Sequence, residues 1–439
     1  CLEALPAFRE FLEIKKIQAQ NSYKNTFNKI NTEGEIILRL GEVMDEINCS
    51  TEKRSAFVPK NILKSMSQKF PWTSGSNQQD AQEFFQALMT VSQKNFALPT
   101  SQKGFHSSVI SSFKNTDNTP VPIHSIEPQA SNPFTGLVAS KISCVSCGYS
   151  ASLNHFLVDC VSIPIPNKNA SSLEECLQLY TGIDTLDDFK CRRCQLSATL
   201  RQVNTSIDAN LVKKNDLSEK IKLTEKNISL CDKSEEDALN QELKKTESKL
   251  RSLKKKLEAQ KNLISKLENQ KKEIEFALSN NIDKDLPGIE LSNESTGLST
   301  KQTMFARLPK TLCLHLNRSL FFLSGYTGKN STNVAIPPVL DMSPFSTSGF
   351  LDTRPNFPIS KSSLLNDKNN IQNSKYKLVS VIVHIGSHDS GHYYAYKRTK
   401  DKNSAKSTWF CVSDSDISRV DEKTVLACGN AFMVFYEKL

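Results

Sequence analysis

The spacing of apolar residues changes several times along the chain. In the stretches 1–16 and 33–48 they recur at intervals of three and four, which predicts amphipathic helices. Residues 76–95 predict a further helix of about five turns, because Ser and Asn residues able to cap it precede an amphipathic run. After about residue 107, short β-branched runs with Pro and Gly, such as 156–166, predict strands. The chain is therefore predicted to pass from helices into β-structure.

Residues 205–280 follow another period. Apolar residues recur there in alternating steps of four and three, which is the heptad pattern of helices that pack as a coiled coil, and Lys and Glu surround the seam. The apolar positions are Leu217, Ile221, Ile228, Cys231, Leu239, Leu243, Leu250, Leu253, Leu257, Ile264, Leu267, Ile274 and Leu278, with Thr246, Gln260 and Lys271 in the gaps. The run CDKSEED (231–237) breaks the register, which favours two helices folded as a hairpin. One continuous helix is the alternative.

Charge adds little to this picture. The 439 residues include 56 basic and 47 acidic ones, for a net charge of +9, and the helical insert accounts for much of the lysine. We therefore read the charge as a solvated helix face and expect no nucleic-acid partner. No run of 18 apolar residues and no signal peptide is present, so no membrane segment is predicted in this chain. Because the chain opens with Cys1 inside a helical pattern, we expect it to be part of a longer protein.

Four of the 12 cysteines form two CxxC pairs, Cys144 with Cys147 and Cys191 with Cys194. A CxxC turn presents two thiolates to one tetrahedral ion, and two such turns complete a closed zinc site. A closed site leaves no position for water, so the predicted zinc is structural. Unrelated turns with chance cysteines are the alternative. A redox pair is disfavoured because no βαβ unit surrounds either motif.

Three histidines, His384, His388 and His392, are spaced four apart, as on the face of a metal-binding helix. The residues between them argue against a helix, because most are turn formers: Gly386, Ser387, Asp389, Ser390 and Gly391. The flanking stretches 376–385 and 392–396 have the apolar and aromatic content of strands. We therefore predict a strand, a turn and a strand. His392, at the start of the second strand, is placed to act as a general base, and a packed or solvated histidine is the alternative.

Five stretches in order resemble the ubiquitin-specific proteases, the papain-like cysteine deubiquitinases. They are 77–88 (NQQDAQEFFQAL), 134–147 with 191–194, 302–318 (QTMFARLPKTLCLHLNR), 390–396 (SGHYYAY) and 409–438. The resemblance implies an α+β fold with a helical thumb, β fingers that carry the zinc knuckles and a β palm, here with an inserted coiled-coil hairpin. On it we expect a thumb over 1–130 that lacks the nucleophile segment, zinc-binding fingers over 131–204, the coiled-coil insertion over 205–280, and a palm with returning finger strands and the catalytic histidine over 281–439.

The same resemblance implies hydrolysis of the isopeptide bond after the C-terminal Gly of ubiquitin. His392 matches the family's catalytic histidine, and Gly391 and Tyr393 would border the channel for the Gly-Gly tail. Asp80 and Glu83 match acidic helix positions that receive arginines of the tail, and an exposed helix face is the alternative. Counting from Trp409 places Ser413 at the third catalytic position, with Asp414 next to it. This pattern is similar to a family member anchored in the mitochondrial outer membrane, which uses a Cys-His-Ser triad.

The nucleophile itself is expected outside the chain. Cys1 and the residues after it match the part of the family's sequence that lies about two helical turns beyond the catalytic cysteine, so we expect Cys1 to be a packing residue. This chain would then be inert and the full-length protein active on ubiquitin and ubiquitinated proteins. The alternative is an inactive ubiquitin-binding scaffold that recruits a partner through the coiled coil. A coiled-coil structural protein with a zinc module leaves the strand-rich half unexplained. We expect a cytosol-facing protein, with an upstream anchor in the mitochondrial outer membrane as a candidate.

Overall fold

The computed structural model describes most of the chain. The described residues are 1–25, 32–48, 57–74, 79–93, 131–231 except 152, 237–293, 297–347 except 323 and 326, 352, 354, 357–360, 374–387, 390–400 and 407–439. His388 and residues 232–236 of the predicted register break lie outside them. Among the helices described, none combines the length and the apolar content needed to cross a bilayer.

The described residues up to Ser92 are mainly helical, as predicted. The helices are α1 Pro6–Asn25, α2 Thr32–Asn48, α3 Lys60–Lys69 and α4 Ala81–Ser92, and the later ones are α5 Leu173–Thr181, α6 Arg192–Cys231, α7 Asp237–Asn280 and α8 Glu422–Leu426. The first four bury one apolar stripe each, which includes Phe8, Ile37, Met66 and Phe85, and share a core with one face of a large sheet. This arrangement sets the N-terminus of α4 against that sheet.

Strands make up most of the remaining described structure. They are β1 Gly136–Cys144, β2 Asn154–Val158, β3 Val161–Pro164, β4 Ala170–Ser172, β5 Ile183–Leu186, β6 Ser299–Arg307, β7 Thr311–Asn317, β8 Ser319–Phe321, β9 Thr327–Lys329, β10 Asn333–Ala335, β11 Val339–Asp341, β12 Lys375–Gly386, β13 Gly391–Lys400, β14 Ser407–Ser413, β15 Asp416–Val420 and β16 Ala431–Lys438. The large sheet has the order β15-β14-β13-β12-β16-β7-β3, with β11 also pairing β12. A second sheet has the order β2-β1-β6-β5.

Side chains on the large sheet alternate between two cores because successive residues of a strand point to opposite faces. On β16, Val434 and Tyr436 join the core that includes α5, whereas Met433 and Phe435 join the core of the first four helices. The sheet is therefore buried on both faces, and its functional residues lie where strands end. These layers of helices and sheets confirm the α+β class.

Helices α6 and α7 pack antiparallel along each other. Gln260 Nε2 donates to Asn210 Oδ1 at 2.5 Å. Lys254 pairs with Glu225 at 2.8 Å, nearer the C-terminal end of α6 and the N-terminal end of α7. On α7 the predicted seam positions from 243 to 278 are all buried or half-buried. The helix α6 begins at Arg192, so the expected boundary between 204 and 205 falls inside one continuous helix. The superhelical coiling of the pair stays a prediction.

Candidate active site and metal centre

The β12–β13 hairpin holds His392 at the edge of the large sheet. The two strands pair antiparallel up to Gly386↔Gly391, and His392 faces Ile385 one step inside the turn. Its imidazole is about half exposed, with 48% of the side chain accessible. Rigid strand backbone with an accessible ring is the arrangement that a general acid or base needs.

Ser413 is the hydrogen-bonding partner of this imidazole. It ends β14, the strand next to β13, and its Oγ lies 2.7 Å from His392 Nε2. Asp414 starts the two-residue turn into β15 with φ of 48°, a left-handed conformation that Asp tolerates better than most residues. Its carboxylate lies 4.0 Å from the other ring nitrogen, Nδ1, and is 84% exposed. The geometry therefore separates the two candidates: Ser413 holds the ring, and Asp414 lies on its opposite side.

Glycine is required at both positions of the last β12–β13 pair, Gly386 and Gly391. A Cβ on Gly391 would collide with the carbonyl oxygen of Ile385 and lie 2.5 Å from His384 Nε2. Gly386 has φ of +122°, and a Cβ there would lie 2.5 Å from Gly391 Cα. Only glycine combines this conformation with so close an approach. The last pair of the hairpin, next to His392, is therefore packed backbone against backbone.

Tyr393 connects the hairpin to α4. Its ring lies against His384 with centroids 4.5 Å apart, and its hydroxyl accepts a hydrogen bond from the backbone N–H of Ala81. Burial raises the pKa of Tyr393 to about 12, and the nearby carboxylate of Asp80 acts in the same direction. Tyr393 therefore sets the distance between the sheet and the start of the helix.

The two acidic residues predicted on α4 have different surroundings. Asp80 is the N-cap, and its Oδ1 accepts hydrogen bonds from the N–H groups of Gln82 at 2.6 Å and Glu83 at 3.2 Å. Such a cap stabilises a helix by about 1 kcal/mol, so one carboxylate oxygen of Asp80 has a structural role. Glu83 is exposed in the first turn. Of the two, Glu83 offers the more accessible charge.

An apolar cleft of about 580 Å³ lies between the helices and the sheet. Its walls include Cys1, Ala81 and Phe84 on the helical side and Tyr393 and Val412 on the sheet, next in sequence to His392 and Ser413. Cys1 is half-buried at the start of a short 3-10 helix. Within the described part of the chain, no thiol contacts His392.

The four predicted cysteines converge. Their sulfur atoms all lie within 4.8 Å of one another, with Cys144 Sγ and Cys194 Sγ at 3.7 Å and Cys147 Sγ and Cys191 Sγ at 3.5 Å. Zinc–sulfur bonds of about 2.3 Å in a tetrahedron place sulfurs about 3.8 Å apart, so the cluster has the size of a zinc site. Burial and neighbouring thiols raise the pKa of Cys191 to about 11. A divalent cation is what would allow all four to ionise, which suits the donor set to zinc.

Sequence reasoning missed the surroundings of two histidines. His384 is buried, and Lys329 donates to its Nδ1 from a hairpin 55 residues away. His315 packs against Phe432 with centroids 4.7 Å apart and has Ser162 Oγ 3.0 Å from its Nδ1. For His384, the neighbouring Val and Ile residues signalled a buried strand. No local pattern indicates Lys329 or Ser162, because each arrives from a distant segment.

Residues 1–436 match the ubiquitin carboxyl-terminal hydrolase family. Ubiquitin carboxyl-terminal hydrolase 16 of Emericella nidulans is 22% identical over 391 residues, which cover 83% of this chain and 51% of that protein. Ubiquitin carboxyl-terminal hydrolase 27 of Arabidopsis thaliana is 32% identical over 148 residues, which cover 32% of this chain and 29% of that protein. The chain thus spans about half the length of the first relative and less of the second.

Among solved structures, the chain is similar to the SAGA DUB module of Ubp8, Sgf11, Sus1 and Sgf73 bound to monoubiquitin. The match has a TM-score of 0.53 at 17% identity and covers 100% of this chain and 64% of that one. The same module bound to ubiquitin aldehyde gives a TM-score of 0.51 at 16% identity, covering 100% of this chain and 65% of that one. At these identities the likeness establishes a shared fold.

Proposed function

The chain belongs to the ubiquitin carboxyl-terminal hydrolase family, and on that premise we propose that it is part of a thiol-dependent deubiquitinase. The reaction is hydrolysis of the bond after the C-terminal Gly of ubiquitin, on proteins or on ubiquitin chains. The observation that carries the proposal is the 2.7 Å contact between His392 Nε2 and Ser413 Oγ, on neighbouring strands of the large sheet. The family resemblance implies that the Gly-Gly tail runs beside Gly391 and Tyr393, and this remains part of the proposal.

The imidazole of His392 moves the proton. When Nε2–H donates to Ser413 Oγ, the lone pair of Nδ1 is left to take a proton from an attacking thiol and return it to the leaving amine. Ser413 thereby selects the tautomer, but a neutral hydroxyl cannot offset the charge of the imidazolium that forms. The Asp414 carboxylate, 4.0 Å from Nδ1, attracts that charge by only about 1 kcal/mol in water.

We place the nucleophilic cysteine in the full-length protein, outside residues 1–439. Support comes from the cleft, whose walls include both Cys1 and Tyr393, and from the lack of a thiol contacting His392 among the described residues. Tyr393 and Val412, which line this cleft, are next in sequence to His392 and Ser413, so we propose that the segment with the cysteine enters here. Cys1 then packs at the edge of that segment.

The four-cysteine site is proposed to bind structural zinc. Cys144, Cys147, Cys191 and Cys194 would hold it, and the ion would tie the β1 turn to the first turn of α6. All four positions are taken by protein, so the ion supplies stability rather than chemistry. A partner for the α6–α7 pair is proposed on its exposed faces.

The relationship that we propose to one particular member of the family rests on the third catalytic position. A serine there, rather than a carboxylate, supports a relationship to the mitochondrial outer-membrane member with a Cys-His-Ser triad. We propose the matching location, with the protein facing the cytosol and anchored by a segment outside this chain.

The test compares the full-length protein, residues 1–439 and a full-length His392→Gln variant. We expect the full-length protein to release a fluorogenic amide from the C-terminus of ubiquitin, and the variant to be about 10²- to 10⁴-fold slower. A ubiquitin probe with a thiol-reactive C-terminus should label the full-length protein and leave residues 1–439 unlabelled. Labelling at Cys1 would contradict our placement of the nucleophile. Ubiquitin binding without hydrolysis by the full-length protein would favour the scaffold instead.

A further inference from the structure

The half-buried Lys329 places its ammonium group against the catalytic hairpin. Lys329 ends β9, and its Nζ lies 3.1 Å from His384 Nδ1, 2.9 Å from the carbonyl oxygen of His384 and 3.0 Å from that of Gly386. An ammonium group has three protons to donate and no acceptor. Three contacts to three acceptors therefore use the whole group. Burial lowers the pKa of Lys329, which makes these partners the groups that keep it charged.

Lys329 contacts β12 at the point where the pairing of β12 with β16 has ended. The pairing of β12 with β16 ends at Val383↔Ala431, three residues before β12 itself ends. The carbonyl oxygens of His384 and Gly386 lie beyond that point. A buried residue such as His384 needs a donor for its carbonyl, and here a lysine from another hairpin provides one where the pairing with β16 has stopped. Lys329 thus ties the end of β12 to the β8–β9 hairpin.

The contact with the imidazole also determines where the proton of His384 resides. Because Lys329 can only donate, His384 Nδ1 must accept, and the ring carries its proton on Nε2. His384 Nε2 is the atom that a Cβ on Gly391 would meet at 2.5 Å, and the ring packs on Tyr393 at 4.5 Å. If Nδ1 of His384 were protonated, it could no longer accept from Lys329, and two positive charges would lie 3.1 Å apart. The neutral Nε2–H form is therefore the one compatible with this geometry.

We propose that Lys329 is a positioning residue that fixes His384 as the Nε2–H tautomer and thereby holds the Gly386–Gly391 pair and the adjacent His392 in their reactive arrangement. Its effect on turnover rests on the proposed function, whereas its effect on His384 does not. The three contacts of Lys329 are to His384 and Gly386, so it acts through His384 and the backbone of β12.

The experiment has a spectroscopic part and a kinetic part. In residues 1–439 labelled with ¹⁵N-histidine, the two ring nitrogens of neutral His384, assigned with a His384→Gln variant, should show the Nε2–H pattern. Lys329→Met should change that pattern, and Lys329→Arg, which keeps charge and donors, should restore it. In the full-length protein, Lys329→Met should lower kcat about tenfold, with the affinity for ubiquitin changed by less than about twofold. Lys377→Met, an exposed lysine at the other end of β12, is the matched control.

Several outcomes overturn the inference. An Nδ1–H tautomer of His384 in the unsubstituted chain does so without any variant, so the test does not depend on Lys329→Met folding. An unchanged tautomer in Lys329→Met, or an unchanged kcat, does so as well. Equal losses of kcat in Lys329→Met and Lys377→Met would also overturn it, because they would show a general effect of removing a positive charge. A full-length protein that hydrolyses no ubiquitin rejects the proposed function instead, because the tautomer is read without turnover.

Discussion

The four-cysteine site and the β12–β13 hairpin both join distant segments, but they differ in what they leave open. In the cysteine site every Sγ lies within 4.8 Å of the other three, and Cys144 and Cys191 are buried. At the hairpin one nitrogen of His392 is held by Ser413, while the other is directed away from it and the ring is half exposed. A closed set of donors can only stabilise, whereas an open position can react.

The difference also appears in how neighbours tune each group. Among the cysteines, burial and mutual contact raise the pKa values of Cys191 and Cys194, whereas at Cys144 hydrogen bonds outweigh burial and lower the pKa. At the hairpin the supporting contacts are the hydrogen bond between His392 Nε2 and Ser413 Oγ and those that Lys329 donates to the end of β12. On our proposal the first region depends on an ion, and the second depends on precise backbone placement. Removing one donor from each region tests this contrast.

The largest effect is expected at the closed site. Cys191→Ser should abolish stoichiometric zinc binding, measured by native mass spectrometry. It should also lower the free energy of unfolding by at least about 4 kcal/mol, because the loss of a bound metal is among the most destabilising effects of a single substitution. Since α6 begins next to Cys191, hydrogen exchange should rise at 192–204.

Cys428→Ser provides the control, since Cys428 is half-buried and outside the cluster. It should keep the zinc and cost much less stability. Zinc retained at full affinity by Cys191→Ser, or a wild-type chain that holds none, would break the comparison.

Sequence reasoning reached the two regions to different depths. Each CxxC lies in one short turn, so residue type and spacing alone predict two pairs of sulfurs, and the pairs do meet. The turn formers between His384 and His392 likewise predict a hairpin locally, and the heptad positions of α7 face inward. In all these cases the relevant contacts are between near neighbours or repeat with a period.

The remainder depends on contacts that no local pattern records. The heptad pattern predicts a start of the helical insert near residue 205, but α6 runs from Arg192 because Leu196, Val203 and Ile207 pack against the end of α7 and the segment after it. Lys329 reaches His384 through tertiary structure alone. Such contacts require the fold before they can be seen.

A second histidine sharpens the contrast between closed and open surroundings. Burial lowers the pKa of His315 to about 4, with Asp80 opposing weakly. As the pH falls, the unfolded chain takes up this proton near 6.5, before the folded chain does, so stability is complete above about pH 6.5 and is lost toward pH 4. Between pH 7 and 5 this amounts to about 2 kcal/mol. We expect the free energy of unfolding, measured with urea, to fall between pH 7 and pH 5 by about 2 kcal/mol less in His315→Gln than in the wild type.

The control for His315 is His155→Gln, an exposed histidine on β2. It should leave the difference between pH 7 and pH 5 unchanged. Identical pH profiles for wild type and His315→Gln would mean that His315 is solvated in the folded chain, and the contrast with half-exposed His392 would fail.

The smallest expected effect decides what keeps the open site in order. In the full-length protein Ser413→Ala should lower kcat/KM for a ubiquitin C-terminal amide by at least about tenfold, or about 1.4 kcal/mol, because His392 Nε2 loses the group that selects its tautomer. Asp414→Ala should cost less than about threefold, since an 84% exposed carboxylate 4.0 Å from Nδ1 is screened by water. Both residues adjoin the same turn, which makes them matched controls for one another. If Asp414→Ala lowered kcat/KM strongly and Ser413→Ala left it unchanged, the imidazole ring would have to flip during the reaction. The Asp414 carboxylate, not the Ser413 hydroxyl, would then orient it.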